Sequence, residues 1–306
     1  MSAVAGMSRR NEPDAFSRFH PALLLLYFCV VLFFCMFSLH PVILAISFVC
    51  EFCWSVLLNG SKALRFNLVA MLPVTLAVAL LNPLFNHAGV TILFYLNDNP
   101  VTLESIVFGW VYALAFVTVI IAFSCFNRIM TSDKLMYLFG RLAPVLSLMF
   151  SMTLRFVPRY KAQIGRIARA QKGIGMDPSH GNVLRRVKNG VRILSILITW
   201  ALENAIESAD SMKARGFGLK GRTSFSIYSW KRGDRLLLIA ELATSGAVLV
   251  ALLSGRFDCG YIPAIRIAGL DTGTLPFYFA YALFCLLPVV ADIREGVEWN
   301  RLQSAG

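Results

Sequence analysis

Apolar positions along this chain gather in long runs, not in the short alternations of a soluble domain. Four runs, at about 20–37, 41–58, 66–85 and 101–124, precede a long mixed region, and two more follow it at about 235–253 and 275–291. Each comes close to the roughly 20 residues that a helix needs to cross a bilayer. The pattern predicts an all-α polytopic membrane protein with about six transmembrane helices.

The mixed region reads differently. The stretches "RLAPVLSLMFSMTLRFVPRY" (141–160) and "VRILSILITWALENAIESADSMKARG" (191–216) each join an apolar part to a polar one. In the second, the apolar part from Val191 to Leu202 is too short to span. The first, from about 142 to 157, is longer, so loop charge alone leaves eight spans open beside six. The preferred reading is two long helices lying under the bilayer, apolar on one part and hydrated on the other. The chain then divides into a membrane part with about four spans (1–124), a cytoplasmic or interfacial region (125–234), and a membrane part with about two spans and a tail (235–306).

Composition agrees. Of 306 residues, 57% are hydrophobic and 15% charged, with a mean hydropathy of +0.66; soluble domains carry about 25% charged residues. The N-terminal stretch lacks the small-residue cleavage site of a signal peptide. Net charge is +12, and 20 of the 29 basic residues lie between Arg128 and Arg235 against six acids there. Lys and Arg are retained on the cytoplasmic side, so this block marks the inside. Both termini follow it inward, as do Lys62 and Arg65. The turn 38–41 and the stretch 86–100 have no Lys or Arg and fall outside, the latter with a short apolar centre able to dip back toward the membrane. The mixed loop 254–274 also falls outside.

Candidate chemistry is sparse. Seven cysteines at 29, 35, 50, 53, 125, 259 and 285 give no disulfide framework. Cys50 and Cys53 form a CxxC around Glu51, but without a second ligand pair they read as small apolar residues of a lipid-embedded helix, not a metal site. The four histidines (20, 40, 87, 180) are scattered, and the chain has no HExxH, GxSxG or Walker A loop. A membrane enzyme such as a lipid phosphotransferase would call for paired acidic clusters, and only Glu203, Glu207 and Asp210 form one. Few aromatics interleave the basic block, which argues against nucleic acid and for lipid headgroups and subunit contacts. Glu51, Glu104 and Glu241 lie in or near spans and would suit a permease with its own substrate path. Glu104 and Glu241 fall close enough to span ends to reach the interface, which leaves Glu51 as the awkward one.

The two polar stretches have internal order. Arg155, Arg159, Arg166 and Arg169 recur near one helix face, interrupted by Pro158, which should bend that helix. In the second stretch Arg185, Arg186, Lys188 and Arg192 come early and Glu203, Glu207 and Asp210 late. This order opposes the helix dipole and makes sense if each end meets an oppositely charged partner. The stretch closes on Ala214-Arg215-Gly216: a small residue, a planar donor fork and a capping glycine, the chemistry of a helix tip shaped for docking.

The run "ADSMKARGFGLKGRT" followed by "WKRGDRLLL", together with "LRFVPRYKAQIGRIARAQKGIG" at 154–175, resembles the transmembrane T component of energy-coupling factor transporters, the EcfT/CbiQ family. The resemblance covers about 125–255. It implies a non-catalytic scaffold of a vitamin or transition-metal importer with three kinds of subunit. Two ABC ATPases would hold ATP and Mg, with no cofactor on this chain, and a small membrane S component would capture substrate. Two cytoplasmic coupling helices would dock their tips on the ATPases, in a bacterial or archaeal cytoplasmic membrane. By the same resemblance Ala214, Arg215 and Gly216 form the second tip, and Ala170, Gln171 and Gly175 belong to the first. There the family's Ala-Arg-Gly is replaced by Gly173-Ile174-Gly175, which puts equal docking at the two tips in doubt.

Overall fold

Proline sets the start of the first two membrane helices. In the computed structural model, which describes residues 16–96, 99–177, 182–219, 228–267 and 273–305, α1 runs Pro21–Phe37 and α2 Pro41–Asn59. Each begins on proline, whose missing N–H is no loss in a first turn and whose fixed φ suits it. His20 caps α1 by accepting from the Ala22 N–H at 3.2 Å. Gly60, at φ +64°, turns the chain into a short α3 (Ser61–Arg65). A π-helical turn (Phe66–Ala70) then leads to α4 (Met71–Phe85).

The stretch after α4, which carried an apolar centre in the sequence, is a β-hairpin: β1 (Ile92–Leu96) pairs antiparallel with β2 (Asn99–Thr102). β-branched and aromatic residues between Asn and Pro signals favour this ribbon over a helical re-entrant turn. Then come α5 (Leu103–Ile129), α6 (Ser132–Leu142), α7 (Pro144–Gly173), α8 (Val183–Ala214) and α9 (Arg232–Leu253). A two-residue pairing of β3 (Cys259–Gly260) with β4 (Arg266–Ile267) precedes α10 (Leu275–Ala305).

All six apolar runs are helical. Five helical stretches, α2, Ala63–Phe85, α5, α9 and the Leu275–Arg294 part of α10, are long and apolar enough to cross a membrane, and α1 is a shorter apolar helix of 17 residues. Neither α7 nor α8 qualifies by length and composition. The chain is an all-α polytopic membrane protein, and its strands among the described residues form two small ribbons.

Residues 1–134 and 228–306 form one compact unit and 135–227 another. In the first unit the core is aromatic. Phe16, Tyr27, Phe28 and Trp54 meet mostly edge-on at centroid distances of 5.5 or 5.6 Å, the offset geometry that ring quadrupoles favour. Several polar groups inside it are bonded to one another. The Tyr27 hydroxyl lies 3.0 Å from Glu51 Oε1 and 3.2 Å from the Cys285 carbonyl, tying α1, α2 and α10 together. Ser47 Oγ and the Tyr281 hydroxyl are 2.7 Å apart. Among helices in lipid, where apolar surface gives little drive to associate, close approach matters more. A Cβ on Gly109 of α5 would sit 2.7 Å from the Ala79 carbonyl of α4, so that contact is possible only with glycine.

The loops sort to two ends of this unit. At one end Asp292 accepts from the Phe16 N–H (3.2 Å) and the Trp54 indole (3.0 Å). Lys134 Nζ donates there to the Ser17 carbonyl at 2.6 Å, and His20 stacks on Trp230 at 4.1 Å. At the other end the Tyr261 hydroxyl donates to the Leu39 carbonyl at 2.8 Å, and Tyr278 and His40 are 3.1 Å apart. The segment before α1, the two flanks of the basic block and the C-terminal part of α10 thus meet at one end. The 38–41 turn and the 257–261 loop meet at the other.

Candidate functional site

The unit from 135 to 227 carries the residues singled out in the sequence. Its two long helices are amphipathic. On α7, Phe156, Tyr160, Gln163, Ile167 and Gln171 recur every three or four residues and are sheltered, while Arg155, Arg159, Arg166 and Arg169 are all exposed. The four arginines fall within a quarter of the helix circumference, as their spacing requires at about 100° per residue. On α8, Asn189, Ile193, Leu197, Trp200 and Asn204 form the matching sheltered stripe. Tyr160 meets Trp200 edge-on at 5.6 Å, and the Arg159 guanidinium lies 5.4 Å from the Trp200 ring centroid. Trp200 is therefore the central contact of the pair, joining an apolar seam to a cation over its face. Helical spacing marked the arginine face; nothing local in the sequence marked Trp200 as its partner.

The helix α7 passes through Pro158 without interruption in its helical assignment. Proline there removes one backbone hydrogen bond, a point of weakness in a helix of 30 residues. Its exposure puts the missing bond where water can reach it.

The two tips are built alike. At the end of α7, Ile174 is the C-cap and Gly175 adopts φ +77°; the Met176 N–H donates to the Gln171 carbonyl (2.9 Å) and the Gly175 N–H to Lys172 (3.1 Å). At the end of α8, Arg215 is the C-cap and Gly216 adopts φ +79°; Phe217 donates to Met212 (3.0 Å) and Gly216 to Lys213 (3.0 Å). Both are Schellman motifs, with the same pair of bonds closing over a left-handed glycine. Gly173-Ile174-Gly175 and Ala214-Arg215-Gly216 are thus equivalent position by position, and Ile174 stands where Arg215 stands. Ile174 is 63% exposed, and Arg215 is exposed too.

The surroundings differ. The first tip leans on its own connection: Lys172 Nζ is 3.5 Å from Asp177, whose carbonyl accepts from Asn189 Nδ2 at 3.2 Å, and the Arg192 guanidinium contacts the Met176 thioether. Ala170 is exposed beside it, and the buried Oε1 of Gln171 finds no hydrogen-bond partner among the described residues. Around the second tip, Ala214 is exposed, and Leu219 reaches back so that a Cβ on Gly216 would lie 3.1 Å from its Cδ1. The rest of that motif, from 220 to 227, lies outside the described residues, as do His180 and the N-terminal basic residues Arg9 and Arg10.

Glu207 and Asp210 are exposed on α8 and form no ion pair among the described residues. One membrane carboxylate corrects an expectation. Glu241 does not reach the interface: it sits near the middle of α9, fully buried, with neither oxygen hydrogen-bonded among the described residues. Glu104 lies in the first turn of α5, at the span end where it was expected, and there it is covered by the chain and accepts from the Thr91 hydroxyl at 2.8 Å. Sequence distance from a span end measured depth but not the packing of neighbouring elements around each side chain. Cys50 is buried and Cys53 exposed, and no group of three or more potential metal-ligating side chains occurs among the described residues.

Comparison with known proteins matches this arrangement to one family. Residues 17–225 match the family model CbiQ, described as a cobalt transport protein. The energy-coupling factor transporter transmembrane protein EcfT of Streptococcus thermophilus is 32% identical over 196 residues, covering 60% of this chain and 73% of that protein. The EcfT of Streptococcus equi subsp. equi is 31% identical over 208 residues, 64% of this chain and 74% of its own length. EcfT 1 of Listeria monocytogenes is 36% identical over a shorter 107 residues, 34% and 40% of the two chains. A polytopic helical bundle carrying two amphipathic helices with matched glycine-capped tips is thereby placed: this chain belongs to the EcfT/CbiQ family, the transmembrane T components of energy-coupling factor transporters.

Proposed function

We propose that this chain is the coupling scaffold of an ATP-driven importer, with α7 and α8 docking their tips on two ABC ATPase subunits. The observation that carries this is the pair of equivalent Schellman-capped tips with exposed side chains at their caps. A helix end that needs only to stop requires a glycine; an exposed arginine fork on the same cap suits carboxylates or carbonyls of another subunit. ATP and Mg would reside on those ATPases. Their movement would pass along α7 and α8 to a small membrane S component, which selects a vitamin or a transition metal. Arg155, Arg159, Arg166 and Arg169 offer a cationic face to these partners, and Glu207 and Asp210 an anionic one. The basic block faces the cytoplasm of a bacterial or archaeal cell, with both termini on that side of the cytoplasmic membrane.

The test is an affinity pull-down of tagged protein from solubilised membranes, wild type beside Arg215→Glu, with mass spectrometry of the co-purifying chains. ATPases and a small membrane protein should accompany wild type, and the charge reversal should release the ATPases. Wild type emerging alone, or partners indifferent to Arg215→Glu, would refute the docking role.

A further inference from the structure

We propose that the β1–β2 hairpin is an interfacial anchor, lying in the lipid headgroup–acyl boundary at the bilayer surface where α4 ends and α5 begins. The inference is independent of the coupling role.

Its side chains are apolar and uncovered. Ile92, Leu93, Phe94 and Tyr95 on β1 and Val90 just before it are between 47% and 69% exposed. Successive strand residues point to opposite faces, so exposure of Phe94 and Tyr95 together means that neither face of β1 is covered. A folded partner chain would cover one face of such a ribbon. A fluid phase surrounds both.

The choice of phase follows from the backbone. In water, a strand edge carrying five apolar side chains is a template for aggregation. In hydrocarbon, its unpaired N–H and C=O groups would have nothing to bond. The interface satisfies both demands, with side chains against acyl chains and the backbone edge against water and headgroups. Aromatic residues such as Phe94 and Tyr95 favour that depth, tyrosine most because it has a polar tip. The stretch 86–100 has no Lys or Arg, so the contact is not an electrostatic one.

Position supports the same assignment. Along α4 the exposed residues Leu72, Leu76, Leu80 and Leu84 repeat every fourth position, a lipid-facing stripe that ends at Phe85, just before the hairpin. The hairpin therefore continues the exposed apolar surface of a stretch long and apolar enough to cross a membrane. It is also held rigidly at its root. Ser105 Oγ donates to the Asn86 carbonyl at 2.6 Å, Thr102 Oγ1 to Ala88 at 3.1 Å and the Leu103 N–H to Thr91 at 3.0 Å. Buried Glu104 accepts from both the Thr91 N–H and its hydroxyl. A Cβ on Gly89 would lie 2.6 Å from Glu104 Oε2 and from Thr102 Oγ1, so the root closes only around glycine. On β2, Val101 and Thr102 are buried, which fastens one strand to the bundle and leaves the other projecting. A fixed root with an apolar, projecting edge gives the otherwise unused carboxylate Glu104 a role in setting the angle of the anchor.

The test is to place a benzophenone amino acid at Phe94 or Tyr95 in the full-length protein and irradiate it in native membranes. Leu80 on the α4 stripe serves as the lipid-facing reference. Phospholipid adducts from both hairpin positions, at yields like those from Leu80, are expected. Adducts to a polypeptide, whether a partner subunit or a second copy of this chain, would overturn the proposal in favour of a protein-docking ribbon. A yield at both positions lower by an order of magnitude would overturn it too, as the mark of side chains facing water. Glu104→Gln, paired with Gly89→Ala, should reduce the lipid adducts at Phe94 while leaving those at Leu80 unchanged.

Discussion

The residue on which most turns is Ile174. Its backbone occupies the same cap as Arg215, so exchanging the side chain tests chemistry without altering local geometry. Ile174→Arg gives the first tip a donor fork, and retention of ATPases in detergent should rise relative to wild type. Unchanged retention would show that an arginine at this tip adds nothing. Gly216→Ala changes geometry instead. A left-handed φ of +79° costs an alanine about 1 kcal/mol, and its Cβ also crowds Leu219. We expect a frayed tip and weaker ATPase retention, with thermal stability nearly unchanged because the cap is peripheral. In the 257–261 loop of the membrane unit, burial first and then neighbouring Cys259 push the Tyr261 phenol up, so it remains a donor to the Leu39 carbonyl. A raised phenol stabilises the fold below its unfolded value, and this contribution fades only as pH climbs past about 10. Tyr261→Phe should therefore lower the melting temperature in detergent by an amount that is constant across neutral pH, worth about 1 kcal/mol.

Among elements, the contact of α4 with α5 is the one most sensitive to volume. Gly109 admits the Ala79 carbonyl at a distance that no other residue allows. Gly109→Leu should separate the two helices and cost on the order of 2 kcal/mol, as overpacking in a well-filled interior does. A melting temperature equal to that of wild type would show that α4 simply slides aside. The coupling helices behave otherwise. Their seam is short in large side chains, with Trp200 as its main one, so Trp200→Ala should loosen α7 from α8 and raise protease sensitivity between them. Both helices were visible in the sequence, because each joins an apolar part to a polar one, and on α7 arginines recur near one face for about four turns from Arg155 to Arg169. The hairpin was less so. A short apolar stretch with Tyr and Phe suits a strand or a re-entrant turn equally, and only pairing with Asn99–Thr102 selects the strand.

For the whole molecule, the constraint is that polar groups inside a lipid-embedded bundle must satisfy one another. The Tyr27 hydroxyl does so with one oxygen of Glu51 and with the Cys285 carbonyl, a meeting of three helices. Tyr27→Phe removes the donor facing a buried carboxyl, and we expect a loss of about 1–3 kcal/mol, seen as a lower melting temperature in mild detergent. Glu51→Gln keeps the partner and should cost less. If both variants melt together, Glu51 is not held by Tyr27.

The apolar runs, the basic block and the tip motifs lie within contiguous stretches, and local patterns of this kind report on local physics. Hydropathy over about 20 residues determines which segments enter the membrane, charge in the loops orients them, and a glycine after a periodic run stops a helix. The sequence by itself therefore determined the number of apolar runs, the two long amphipathic helices and the place of both tips. It did not determine that Trp200 seals the α7–α8 seam, that Glu241 is buried, or that Asp292 ties the first turn of the chain to the last helix. Each of these depends on segments distant in the chain, as Phe16 and Asp292 are by 276 positions, where spacing carries no information about which side chains meet. Tertiary structure decided them because burial and hydrogen-bond satisfaction belong to the packed bundle and not to any one helix.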